Sequence, residues 1–257
     1  LSTPPIKLAL VTGGFKRVGA AISAQLARDG WMLALHGAHS LVPEDALAAE
    51  IARCGTRWQG FHADLAQNDE VLALLPAIYA HFGQFPDLIV NNASLFVDDD
   101  ATSVTAASLA AHQAVNVSAP VLLATQLAAH LKAEARGCII NILDQRIAQP
   151  HGDQLSYTLA KQALSGATQT LARALAPKLR VNAVAPGLTL ATPDYTETQL
   201  ERLARLMPLS ALPTPAQIAD AVVWLANAEA VSGQTIFVDG GAHMVSFERD
   251  FVHLGKD

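Results

Sequence analysis

Sulfur, charge and aromatic rings are all scarce in this chain. Its two cysteines, Cys54 and Cys138, lie far apart without metal-type spacing. A disulfide framework is therefore not expected, and reduced thiols fit a cytoplasmic protein. Nine histidines are present, yet no HxH or HExxH pattern occurs, so no bound metal is expected. Charged residues make up only 16% of the chain, with a formal net charge of −6 and no basic run. That argues against a nucleic-acid partner held through its phosphates. No stretch of 18 apolar residues occurs, so no membrane span is expected. Leu1–Pro5 lacks the charged and apolar pattern of a signal peptide.

What the chain has is apolar residues, 51% of the total. Short β-branched runs predict strands over Lys7–Thr12, Met32–His36, Trp58–His62, Leu88–Asn91, Cys138–Leu143, Arg180–Ala185 and Thr235–Val238. Several are continuously apolar, such as Leu8-Ala9-Leu10-Val11, which marks strands buried on both faces of a parallel sheet. Ala/Leu-rich segments between them predict helices over Val18–Asp29, Pro43–Cys54, Asp69–Phe82, Thr105–Arg136, Gln154–Ala176 and Pro215–Ala226. Asp153 or Gln154 is a candidate cap for the fifth, and Thr214-Pro215 reads as cap and first turn of the sixth. The alternation runs through the chain without a linker. It predicts an α/β fold: one doubly wound domain over 1–257, about seven parallel strands, and helices on both faces. Residues 189–214 show little pattern and read as a substrate loop.

The first strand runs through Thr12-Gly13-Gly14-Phe15-Lys16-Arg17-Val18-Gly19 into the first helix. Gly13 permits a tight turn, Gly19 permits close helix–sheet packing, and the helix N-terminus favours a pyrophosphate. In this context the turn predicts dinucleotide binding. Arg17 stands where a middle glycine is expected, and its guanidinium can hold a 2′-phosphate. The second strand ends in His36-Gly37-Ala38-His39-Ser40, with no acid to bond a ribose 2′-OH. Both features favour NADP(H) over NAD(H). Asp64, before Leu65, can accept from an adenine amino group or cap the next helix. Asn91-Asn92-Ala93-Ser94 falls at the carboxyl edge of the fourth strand, where open α/β sheets bind ligands.

Asp144 ends the fifth strand, while Tyr157 and Lys161 stand four residues apart on the following helix and so share one face. An ammonium there is expected to lower the pKa of the phenol and make it a proton donor near neutral pH. Asn116 can bond a backbone carbonyl and hold a water that relays protons to Lys161, or be a core polar group satisfied locally. Pro186-Gly187-Leu188-Thr189 follows the sixth strand and can bind a nicotinamide amide, or form a plain turn.

Together these residues resemble the short-chain dehydrogenase/reductase family. The marks are Thr12-Gly13 with Gly19, Asn91-Asn92-Ala93, Asn116, Tyr157 with Lys161, Pro186-Gly187 and Asp239-Gly240-Gly241. The resemblance implies a Rossmann-type fold, a cytoplasmic oxidoreductase and a homotetramer packed through the fourth and fifth predicted helices. Within the family the chain looks most like the pteridine reductase branch, including bacterial dihydromonapterin reductases that double as alternative dihydrofolate reductases. Arg17, Asp144 in place of the catalytic serine, and Asn92-Ala93-Ser94-Leu95-Phe96 carry that likeness. It implies NADPH as cofactor, held along Gly13, Phe15, Lys16, Arg17, Val18, His36, His39, Ser40, Asp64, Leu65, Asn92, Ala93, Ser94, Asn116, Tyr157, Lys161, Pro186, Gly187, Leu188 and Thr189. It implies catalysis by Asp144, Tyr157 and Lys161, and a pterin or folate substrate against Ser94, Phe96, Asp144 and Tyr157. The hydride then goes to a C=N bond of a dihydropterin, giving the tetrahydro form. In trypanosomatid pteridine reductases arginine stands where this chain has His39. The alternatives are an NADPH-dependent reductase of a ketone or 3-oxoacyl substrate, and a non-catalytic NADP(H)-binding module.

Overall fold

In the computed structural model, which describes residues 6–190 and 195–256, the apolar runs are central strands. All of β1 (Leu8–Thr12), β2 (Met32–Gly37), β4 (Leu88–Asn91) and β5 (Gly137–Ile142) is buried, whereas β3 (Trp58–His62) and β7 (Thr235–Val238) are half-covered edges. With β6 (Leu179–Pro186) they form a parallel sheet in the order β3-β2-β1-β4-β5-β6-β7. Each strand lies within one residue of its predicted bounds at either end.

Helices cover both faces. On one, α1 (Arg17–Arg28) packs between α2 (Asp45–Cys54) and α8 (Pro215–Asn227). There Ile22, Leu26, Ile218, Val222 and Leu225 meet Val11, Leu33 and Leu35. On the other, α3 (Asn68–Phe82), α5 (Ala119–His130) and α6 (Leu155–Ala174) cover Leu8, Leu10, Ile89, Ile139 and Val181. Burying each of these side chains contributes roughly 1.5–3 kcal/mol. The Thr214 cap is present, with its hydroxyl accepting from Gln217 N and the Gln217 side chain returning to Thr214 N.

The long helix predicted over Thr105–Arg136 is interrupted. α4 (Ala106–Gln113) passes through a π-helical turn at Ala114–Ser118 into α5. Pro120 has no N–H for the carbonyl of Asn116, so the α-type bond cannot form there. The helix stops at His130, where Lys178 Nζ donates to the carbonyls of Ala128 and Leu131 at 3.0 Å. A further correction lies inside 189–214, where Glu197–Leu206 is helical (α7), capped by Thr196. Its polar outer face hid it. Residues 191–194 lie outside those described.

Candidate active site

Strand order reverses between β1 and β4, and the carboxyl ends of the strands there are the usual ligand-binding edge. The turn after β1 is built for close approach. Gly13 has φ 61°, and a Cβ on Gly19 would fall 2.0 Å from Gly13 O. No side chain caps α1 and its first turn holds no acid. Glu44 accepts the N–H of Arg17 at 2.8 Å, leaving the neighbouring helix N-terminal groups to an anion. Arg17 is exposed and has φ 56°, a backbone conformation that costs an L-residue about 1–2 kcal/mol. A cation thus stands at a glycine-type backbone position.

Several predicted cofactor residues serve this turn from behind. Asn92 Nδ2 donates to the carbonyls of Thr12 and Gly13, at 2.9 and 3.1 Å. Thr12 Oγ1 accepts from Asn92 N and Ala93 N. His36, expected at the cofactor, has a buried ring with Nδ1 3.3 Å from Gly13 N and Nε2 2.9 Å from Ala63 O. Burial lowers its pKa, so the ring is a neutral brace. The Phe15 ring, also expected there, is buried edge-on to Trp58, and Leu65 is buried too. Lys16 and His39 are exposed, Val18 and Ser40 half-buried. Asp64 Oδ1 accepts from Ala66 N at 2.9 Å, a local turn rather than a cap on α3.

The predicted triple converges. Tyr157 Oη donates to Asp144 Oδ2 at 3.0 Å. Lys161 Nζ donates to Ile142 O at 2.7 Å and stands 5.5 Å from the centre of the Tyr157 ring. The electrostatics correct the expectation. Burial, then the Asp144 charge, holds the phenol well above its ordinary pKa, and the cation that lowers it is Arg146. Burial pushes Lys161 down to about 8. The phenol therefore keeps its proton at neutral pH and shares it with the carboxylate.

Arg146 has no counterpart in the residues singled out above. It is 5% exposed, and its nitrogens reach Asp144 Oδ1, Gln154 Oε1, Thr158 Oγ1 and Asp250 Oδ2. Its guanidinium lies 5.0 Å from the Tyr157 ring centre and 5.8 Å from that of Phe96. The cap on α6 also differs from expectation. Gln154 is left-handed and makes no cap bond, and Asp153 pairs with Arg249. Asp99 supplies the cap from a distant loop, accepting from Ser156 N at 3.0 Å. The only sequence signal was the run Asp98-Asp99-Asp100.

Phe96 is 55% exposed and stands edge-on to Tyr157, ring centres 4.8 Å apart. Ser94 Oγ donates to Asn116 Oδ1 at 3.2 Å. Asn116 also accepts from Leu95 N at 2.7 Å and donates to Leu95 O at 2.9 Å, so its side chain holds the loop that carries Ser94 and Phe96. At the next strand end a Cβ on Gly187 would meet Asp239 Cα at 2.8 Å, which fixes Pro186-Gly187 against Asp239-Gly240-Gly241. Leu188 and Thr189 are half-buried there, and Thr189 Oγ1 donates to Gly187 O.

Residues 15–243 match the family model described as enoyl-(acyl carrier protein) reductase. The chain belongs to the short-chain dehydrogenase/reductase family. It is thus an NAD(P)-dependent oxidoreductase of the family's Rossmann type. Among solved structures it is similar to FolM Alternative dihydrofolate reductase 1 from Brucella suis in complex with NADP. Identity is 36%, with a TM-score of 0.84, over 96% of this chain and 98% of that one. Pteridine reductase 1 of Leishmania tarentolae is 31% identical over 93% of this chain and 97% of its own length. A 3-oxoacyl-[acyl-carrier-protein] reductase of Staphylococcus epidermidis is 30% identical over 93% and 99%. Among the described residues no helix is long and apolar enough to cross a membrane.

Proposed function

We propose that this protein is an NADPH-dependent reductase of dihydropterins, converting dihydromonapterin, dihydrobiopterin or dihydrofolate to the tetrahydro form. The observation that carries this reading is the carboxylate–phenol pair of Asp144 and Tyr157, at 3.0 Å, beside the exposed ring of Phe96. A flat heterocycle gains most from an exposed aromatic face. Its ring nitrogens and amino groups are met by a carboxylate better than by a hydroxyl. The likeness to the Brucella suis and Leishmania tarentolae proteins supports the same reading.

The donor set fits NADPH. Backbone N–H groups of Phe15, Lys16 and Val18 would hold the pyrophosphate, and the side chains of Arg17, His39 and Ser40 the 2′-phosphate. Asn92, Ala93 and Ser94 would border the cofactor between its adenosine and nicotinamide halves. Lys161 and Tyr157 would hold the nicotinamide ribose, and Pro186, Gly187, Leu188 and Thr189 the carboxamide. Bound NADPH supplies the hydride. Tyr157 and Asp144 hold the proton for the ring nitrogen, directly or through a water. Lys161 offsets the negative charge left on that pair. Ser94 and Phe96 orient the pterin, and 189–190 and 195–214, with α7, are the described parts of the expected substrate loop. The exposed Leu109 on α4 and Leu159 on α6 suit a homotetramer packed through these helices.

The test is NADPH oxidation with dihydrobiopterin, dihydromonapterin and dihydrofolate beside a panel of ketones and 3-oxoacyl thioesters. The pterins are expected to be turned over, and Tyr157→Phe to lower kcat by a factor on the order of 10². Turnover of ketones alone would establish the carbonyl reading, which the Staphylococcus epidermidis relative favours and the carboxylate at 144 disfavours. NADPH binding without turnover of any substrate would leave the non-catalytic module.

A further inference from the structure

Arg146 is a buried cation with a partner for each nitrogen. A buried guanidinium destabilises the fold unless its hydrogen bonds are filled. Here Nε reaches Asp144 Oδ1 at 3.3 Å, one terminal nitrogen reaches Gln154 Oε1 and Thr158 Oγ1 at 3.1 and 3.4 Å, and the other reaches Asp250 Oδ2 at 2.7 Å. The backbone N–H of Arg146 also donates to Asp144 Oδ1 at 2.9 Å. The two carboxylate oxygens of Asp144 therefore have separate duties. Oδ1 is held by Arg146, and Oδ2 is left to the phenol.

Asp250 is fixed just as firmly. Its Oδ1 accepts from Val252 N at 2.9 Å, and its N–H donates to Asp153 Oδ2 at 2.8 Å. Asp153 is in turn gripped by Arg249. His151 stands 3.8 Å from Asp250 and 3.9 Å from Asp153, too far to take either carboxylate as a hydrogen-bond partner. The remaining oxygen of Asp250 is aimed at Arg146. The stretch after it is tied to α7. Gln199 Nε2 donates to Leu254 O at 2.7 Å, and Phe251 is buried against Leu203 and Met207.

We infer that Arg146 and Asp250 are positioning residues for the Asp144–Tyr157 pair, and that segment 249–255 is a strap linking α7 to the catalytic carboxylate. The inference rests on the proposal that this pair supplies the proton. With the strap seated, Arg146 stops Asp144 from turning, and Oδ2 stays on the phenol. With it loosened, only the Arg146 backbone N–H still holds Oδ1, and the carboxylate loses the side-chain bond that sets its alignment with the phenol. A misplacement of about 1 Å at a reacting group costs a factor on the order of 10².

The experiment uses the full chain and three variants: D250A, R146Q and the double D250A/R146Q. It measures kcat and KM for NADPH and the organic substrate, NADPH Kd by fluorescence, and Tm. D250A is expected to lower kcat about tenfold, and R146Q on the order of 10²-fold, with NADPH Kd within about twofold. The double variant is expected to match R146Q within a factor of about two, because Asp250 acts through Arg146. Wild-type kcat in D250A overturns the inference. So do losses that multiply in the double variant, or a loss that appears in NADPH Kd instead of kcat. R146K keeps the charge but has one donor nitrogen for partners on opposite sides. It is expected to fall with R146Q, and wild-type kcat in R146K would overturn the strap even if D250A does not fold. The ratios are read with whichever panel substrate the unaltered chain reduces. Absence of pterin turnover therefore counts against the proposed substrate alone.

Discussion

Lys161→Met is expected to make the unliganded protein more stable and the enzyme inactive. Burial holds the Lys161 ammonium at about 8 rather than its ordinary 10.5. At about 1.4 kcal/mol per pH unit, keeping it charged at neutral pH costs roughly 3 kcal/mol. Methionine fills a similar volume without the charge. It gives up the 2.7 Å charged bond to Ile142 O, worth about 1.5–3 kcal/mol. The balance is a gain of up to about 1.5 kcal/mol, or a rise in Tm of up to about 5 °C for a domain of this size. The sign with pH follows from the lowered folded value. The penalty is full below about 8 and gone above 10.5, where the lysine is neutral in both states. The Tm difference between variant and parent, measured calorimetrically without cofactor, should therefore shrink between those values. Turnover at pH 7 should fall by a factor on the order of 10² or more. A variant less stable than the parent at pH 7, or a Tm difference that ignores pH, would show that the buried charge of Lys161 does not burden the fold.

Arg17→Gly should relieve the left-handed backbone at φ 56° and leave Tm unchanged or slightly raised. Losing a charged bond to the 2′-phosphate, about 1.5–3 kcal/mol, should raise KM for NADPH roughly 10- to 100-fold and spare NADH; parallel loss with both coenzymes would count against it. Gly19→Ala should abolish dinucleotide binding and lower Tm, since its Cβ would fall 2.0 Å from Gly13 O; near-normal NADPH binding by calorimetry would show that the turn yields. Acid should destabilise the fold from about pH 6.5 downward, because burial lowers the pKa of both His36 and His151, and for His151 the Arg146 charge adds to it. The unfolded chain then binds more protons, so stability is full above 6.5 and lost as pH falls. Each histidine contributes at most about 1.4 kcal/mol per pH unit. His151→Gln should flatten a urea-denaturation profile between pH 7 and 5, and an unchanged slope would remove His151 from the account.

The sheet and its turn could be read from the chain because their signals are local. A continuously apolar run such as Leu8–Val11 admits few arrangements other than a two-face-buried strand. Gly13 and Gly19 carry their backbone demands within one turn, and Tyr157 and Lys161 share a helix face by spacing alone. Asp144 could be placed beside Tyr157 because a strand end and the next helix meet at one edge. The rest depends on distance in sequence. Arg146 meets Asp250 across 104 positions, and Asp99 caps α6 across 57. No periodicity encodes such pairs. The surroundings of Lys161 have the same origin. Helical spacing predicts that two side chains are near, but not that the ammonium bonds Ile142 O on β5, nor that a second cation lies closer to the phenol ring. A buried arginine two residues after a strand-ending acid is itself a clue, since it demands a carboxylate from somewhere in the fold. Only three-dimensional structure says that the carboxylate is Asp250, and so ties the acid at the sheet edge to the helix that follows the substrate loop.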